Sequence, residues 1–178
     1  MRNYTYVDNS NVFIEGQRVS AVRQKLAQNI VEAMSQGIID HSWRIDYGKL
    51  HSIVCGRPDE IGGASLWGSP PPGDTFWKMV ESYGFKSTIY ERSVAGKEKK
   101  VDVAIAHRMT KDAYTVIDRT SSGITLVAGD KDYVPVVEDL KSEGFVIIVA
   151  FWSHAARELK QAATHFFDLD PHHPELTR

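Results

Sequence analysis

Gly129-Asp130-Lys131-Asp132-Tyr133 follows the apolar run Ile124–Ala128, and Val134, Val137 and Leu140 come after it at helical spacing. Two carboxylates thus stand where a strand gives way to a helix, the edge at which open α/β sheets bind ligands. The start of the chain repeats the arrangement. Thr5-Tyr6-Val7 has strand character, and Asp8-Asn9-Ser10-Asn11 follows it. A further acid, Asp102, opens another helical stretch. Carboxylates brought together repel one another, and a divalent cation removes that cost. Asp8, Asp102, Asp130 and Asp132 are expected to converge on such an ion. An all-oxygen ligand set favours Mg2+ or Mn2+ over zinc. The chemistry this would support is phosphoryl displacement.

Each acid also has a plainer role, because Asp is a favoured helix N-cap. Asp74, Asp102 and Asp132 can each be caps alone. Asp8 is harder to explain that way, since a run of polar residues interrupts the junction just before Val12, Phe13 and Ile14. Asp112 and Asp118 fall away from the expected crevice and are read as solvated. Asp46, Asp168 and Asp170 are read as exposed or structural. The histidines show no metal-binding spacing such as H-E-x-x-H.

The elements that must position these acids follow from periodicity. Tyr4–Val7 is the first strand, and 8–16 a loop or first helical turn. Val22, Leu26, Ile30 and Met34 predict one amphipathic helix over about residues 20–36, stopped by Gly37. Leu50, Ile53 and Val54 suggest a strand near 48–55. Gly56–Gly73, rich in Gly and Pro, is expected to be a long loop. Helix 74–83, strand 85–90, helix 102–114, strand 124–128, helix 132–143, strand 145–151, a helix capped by Ser153 and a short strand at Phe166-Phe167 complete the pattern. Alternating strands and helices predict an α/β fold, a three-layer α/β/α sandwich with a mainly parallel sheet. Residues 1–170 form the domain and 171–178 a frayed tail. If the first strand and strand 124–128 flank the point where the winding reverses, Asp8 and Asp130 face each other.

Arg92, Lys97, Lys99 and Lys100 precede Asp102 and are candidate phosphate contacts, or a solvated charged turn. Arg57 and Trp67 sit in the Gly/Pro loop, where they would touch a phosphate and stack on a base if the loop closes over the site. The other tryptophans, Trp43, Trp77 and Trp152, suit packing better.

The net charge of -2 argues against coating nucleic acid by bulk electrostatics, though it allows a local basic surface. No apolar run approaches the ~18 residues of a membrane span. The first strand begins so early that no signal peptide is expected, and Cys55 stands alone. A cytoplasmic protein without membrane association is the expectation.

Val7-Asp8-Asn9-Ser10-Asn11, Lys100-Val101-Asp102-Val103 and Gly129-Asp130-Lys131-Asp132-Tyr133 fall in order, followed by Gly144, Ser153 and Phe166-Phe167-Asp168-Leu169. In this set the chain resembles the NYN domain, of the PIN-like nuclease group that includes the DUF88 and LabA-type proteins. The resemblance implies a PIN-like fold and a metal-dependent ribonuclease site, with RNA as substrate and 3′-hydroxyl and 5′-phosphate products. It implies Asp8, Asp102 and Asp130 as metal ligands, directly or through water, Asp132 as a fourth acid, and Asn11 orienting a ligand or phosphate oxygen. Such domains often carry Ser before the Gly-Asp pair, where this chain has Ala128. The alternative is a non-catalytic RNA-binding or protein-interaction module that keeps the PIN-like fold; under either reading the partner expectation includes a homodimer or a protein partner. A haloacid dehalogenase-type phosphatase would need Asp where Ser10 stands, and a dinucleotide site would need G-x-G-x-x-G after the first strand.

Overall fold

The computed structural model describes residues 1–68, 74–89 and 101–178. Its strands are β1 (Arg2–Asp8), β2 (Ile61–Gly68), β3 (Lys86–Ile89), β4 (Ser122–Val127), β5 (Val146–Phe151) and β6 (His165–Asp168). Its helices are α1 (Asn9–Arg23), α2 (Ile30–Gln36), α3 (Tyr47–Cys55), α4 (Thr75–Ser82), α5 (Val101–Thr115), α6 (Val134–Ser142), α7 (Arg157–Ala162) and α8 (His173–Leu176). All strand pairs are parallel, in the order β3-β2-β1-β4-β5-β6. The chain winds outward through β2 and β3, then from β4 through β5 and β6 towards the other edge. The reversal lies between β1 and β4, as expected.

Alternation along the strands divides the core between the two sheet faces. Tyr6, Ile124, Leu126, Ile147 and Val149 join Ile105 and Met109 of α5, Leu140 of α6 and Leu159 of α7. Val7, Leu66, Val127 and Phe151 join Val12 and Val19 of α1, Leu50 of α3 and Trp77 of α4. Two packed helix layers on one sheet give the α/β/α sandwich.

Several local expectations are corrected. The helix expected over 20–36 is two helices. α1 starts at Asn9, directly after Asp8, and Lys25 with φ +60 lies between it and α2. Asn29 caps α2 by accepting from the Glu32 N–H at 2.9 Å. Leu26 and Met34, spaced as inward residues, are exposed.

The strand expected near 48–55 is α3. Asp46 caps it through the Lys49 N–H at 3.0 Å, and Leu50 and Val54 face inward at i, i+4 spacing. The expected Gly/Pro loop contains β2, an inner strand of the sheet. Gly62 there answers packing rather than a turn, because a Cβ would lie 2.5 Å from the Tyr4 ring. Residues 69–73 of that stretch lie outside the described residues.

Ser153 caps no helix; its hydroxyl donates to Asp170 at 2.6 Å. The expected frayed tail is docked. Leu176 is fully buried, its carbonyl accepts from the Asp46 N–H, and Trp43 Nε1 donates to Thr177 Oγ1 at 2.8 Å. No helix among the described residues is long and apolar enough to cross a membrane.

Candidate active site

A cleft of about 400 Å3 opens at the carboxyl ends of β1 and β4. It is lined by Asp8, Ser10, Asn11, Ile14, Glu15, Arg18, Val101, Asp102, Asp130 and Asp132. All four predicted acids and Asn11 are therefore brought together, from β1, α1, the start of α5 and the turn after β4.

Asp8 is the last residue of β1 and the N-cap of α1. Its Oδ1 accepts from the Asn11 N–H at 3.2 Å, and its Oδ2 accepts from the Tyr133 hydroxyl at 2.8 Å. Burial pushes its carboxyl up to about 6, although both hydrogen bonds oppose the shift; the charges of Asp130 and Asp102 add to it. Asn11 ties the two strand ends together. Its Oδ1 accepts from the Gly129 N–H, next to Asp130, at 2.7 Å. The Asp130 carboxyl is raised as well, by burial first, with Glu15, Asp132 and Asp102 contributing repulsion. Gly129 fixes where Asp130 can stand, since a Cβ there would lie 2.2 Å from the Phe151 ring.

Asp102, the second residue of α5, has a buried Oδ1 that finds no hydrogen-bond donor among the described residues. Oxygen-only donors, mutual repulsion and an orphaned carboxylate oxygen all suit a hard divalent cation. Among the described residues, however, no three His, Cys, Asp or Glu side chains form a ready-made cage. Magnesium commonly takes one or two carboxylates and keeps several waters, so the donor set fits an ion held partly through water.

Other predicted contacts are not brought to the cleft. Trp67 pairs with Asp8 in the β1–β2 register, but its ring is buried and stacks on Tyr6 at 6.0 Å, so it is unavailable to a base. Arg57 precedes β2, at the opposite end of the sheet, where it is exposed and paired with Glu60 at 2.9 Å. Arg92, Lys97, Lys99 and Lys100 lie outside the described residues. Asp112, expected to be solvated, is buried and accepts from Tyr6 and Arg108 at 2.8 and 2.9 Å. Ala128 is fully buried in the apolar cluster with Val101 and Ile105 and does not line the cleft.

Tyr133, Glu15 and Arg18 were missed by sequence reasoning. Asn11, Glu15 and Arg18 are spaced i, i+4 and i+7, a signal readable only once α1 is known to begin at Asn9. Tyr133 offers no such spacing, because it meets Asp8 only through the fold.

Comparison with curated proteins gives no match. Among solved structures, the chain is similar to a crystal structure of a Vibrio parahaemolyticus protein of unknown function. The TM-score is 0.69 at 16% identity, covering 99% of this chain and 96% of that one, a likeness of fold. The family model for the NYN domain matches residues 4–170. NYN domains are PIN-like and generally nuclease-like, and the family's nucleases usually use divalent metals. With that match spanning nearly its whole length, the chain belongs to the NYN domain family.

Proposed function

We propose that the protein is a metal-dependent ribonuclease that hydrolyses RNA phosphodiester bonds in this cleft, acting in the cytoplasm. The observation that carries the proposal is the gathering of Asp8, Asp102, Asp130 and Asp132 around one cleft at the sheet reversal of an NYN domain. Asp8, Asp102 and Asp130 would hold Mg2+ or Mn2+, with Asp132 as a fourth acid. The bound ion would supply charge neutralisation at the scissile phosphate and a more acidic water. Asn11 holds the Asp8 and Asp130 ends in register, and Tyr133 holds the Asp8 carboxylate in place. Because Asp8 and Asp130 are held above their ordinary range, they give the cleft a preference for cations that protons alone satisfy poorly at neutral pH.

The experiment is cleavage of labelled RNAs with Mn2+, with Mg2+ and with EDTA, running wild type beside Asp130→Asn. Metal-dependent cleavage that the folded variant loses supports the assignment. Equal cleavage by both proteins refutes it. A second proposal, a module that binds RNA or protein without cutting, draws on the lack of a ready-made cage among the described residues. RNA retained in a gel shift, with no cleavage under any metal, would favour it.

A further inference from the structure

Beyond Asn11, α1 lines the cleft with Glu15 and then Arg18. Arg18 is the one cation among the described residues that line the cleft. Its Cα stands about 10 Å along the helix axis from that of Asn11, which is committed to the strand ends. One prong of its guanidinium is fixed, because Nη1 donates to Glu15 Oε1. Glu15 is fixed in turn, with its Oε2 2.6 Å from His154 Nε2. The His154 ring lies beside Phe151, centroids 6.4 Å apart. The Arg18 Nε is buried without an acceptor among the described residues, while the side chain as a whole stays 22% exposed.

A planar guanidinium anchored through Nη1 and still partly exposed in the cleft is suited to a phosphate oxygen. The acid wall repels a polyanion, so RNA needs a fixed cation set apart from those acids to be held against them. We infer that Arg18 binds a phosphate flanking the scissile one, and that Glu15 and His154 are positioning residues for its guanidinium. This rests on the reading of the cleft as an RNA-cleaving site. The offset of Arg18 from Asn11 along α1 favours a flanking phosphate over the one at the acids.

The test compares wild type, Arg18→Ala, Arg18→Lys and Glu15→Gln with Mn2+ on a labelled oligoribonucleotide and on bis(p-nitrophenyl) phosphate, a diester with no flanking phosphate. Arg18→Ala should raise KM for the oligoribonucleotide about 10-fold to 100-fold. It should also lower the slope of log affinity against log salt by about one. Turnover of the small diester should stay within about twofold of wild type. Arg18→Lys should keep the salt slope while raising KM, because the charge stays and the fork is lost. Glu15→Gln should raise KM for the oligoribonucleotide by more than it changes KM for the small diester.

Equal losses on both substrates, or a wild-type KM and salt slope in Arg18→Ala, would overturn the inference. Should Arg18→Ala fail to fold by circular dichroism, Arg18→Lys decides: a raised KM with the small-diester rate kept supports the contact, and a wild-type KM overturns it. If wild type cleaves neither substrate, the ribonuclease proposal fails by itself. Fluorescence anisotropy of labelled RNA in Mg2+ then decides the contact. A slope about one lower in Arg18→Ala supports it, and identical slopes overturn it.

Discussion

Asp8→Asn should stabilise the metal-free fold while abolishing function. The Asp8 carboxyl is pushed up from 3.8 to about 6, chiefly by burial. That difference corresponds to about 3 kcal/mol between its two protonation states. The folded state therefore binds this proton more tightly than the unfolded state does. The associated stability is fully present below pH 3.8 and is lost as pH rises through about 6. At about pH 7.5 the metal-free fold carries the whole cost of an ionised Asp8. Asparagine removes the charge and keeps an oxygen for the Asn11 N–H, and its amide can donate to the Tyr133 oxygen. The gain at about pH 7.5 should approach 3 kcal/mol, a rise in Tm of about 6–12 °C for a chain of this size. At about pH 5, Asp8 is mostly neutral in the folded state but ionised in the unfolded one, so the gain should shrink to about half of that. Thermal melts by circular dichroism in EDTA at both pH values read this directly. Added Mg2+ should raise the Tm of wild type and leave the variant where it was. A variant less stable than wild type by the same margin at both pH values would refute the reasoning from burial.

Tyr133→Phe removes the hydroxyl that donates to Asp8 at 2.8 Å. A hydrogen bond to a charged group is worth about 1.5–3 kcal/mol, so Mg2+ or Mn2+ affinity by calorimetry should fall, and fall further at about pH 6 than at pH 8. Gly129→Ala forces a Cβ to within 2.2 Å of the Phe151 ring and should cost about 1–3 kcal/mol in urea unfolding. It should also reduce cleavage, because the Asn11–Gly129 contact beside Asp130 is displaced. Trp67→Ala should cost about 3–5 kcal/mol of stability. Its RNA affinity, measured in the cold on folded protein, should match wild type, since the ring is buried against Tyr6.

Asp8, Asp102, Asp130 and Asp132 were legible because each stands at an element boundary, and a parallel sheet aligns its strand ends. The same logic placed β1 beside β4. The stretch 48–68 was misread for two physical reasons. The Leu50, Ile53 and Val54 spacing fits a helix as well as a short strand, and the Asp46 cap decides between them. The glycines of β2 resembled turn punctuation, whereas Gly62 makes room for the Tyr4 ring across the sheet. Contacts of that kind join residues far apart in the chain, and local periodicity carries no trace of them. Trp67 went astray with β2, and Arg57 was set at the wrong end of the sheet by the same error.

The most telling feature of the cleft is what the fold tolerates there. Asp112 is also a buried acid, but Tyr6 and the Arg108 guanidinium share one of its oxygens, and Arg108 supplies a countercharge. Asp8 receives only a hydroxyl and a peptide N–H, with further carboxylates for neighbours. Strand β1 positions both: Tyr6 reaches Asp112 on α5, and Asp8 stands two residues further along the strand, on the same face. If Asp8 served only to cap α1, Ser or Thr would cap it without a buried charge. Keeping a carboxylate there costs the metal-free protein stability at neutral pH, and Asp102 and Asp130 increase that cost. A divalent cation bound there as proposed would remove it, so the cost of the gathered carboxylates and the proposed metal binding would share one electrostatic origin.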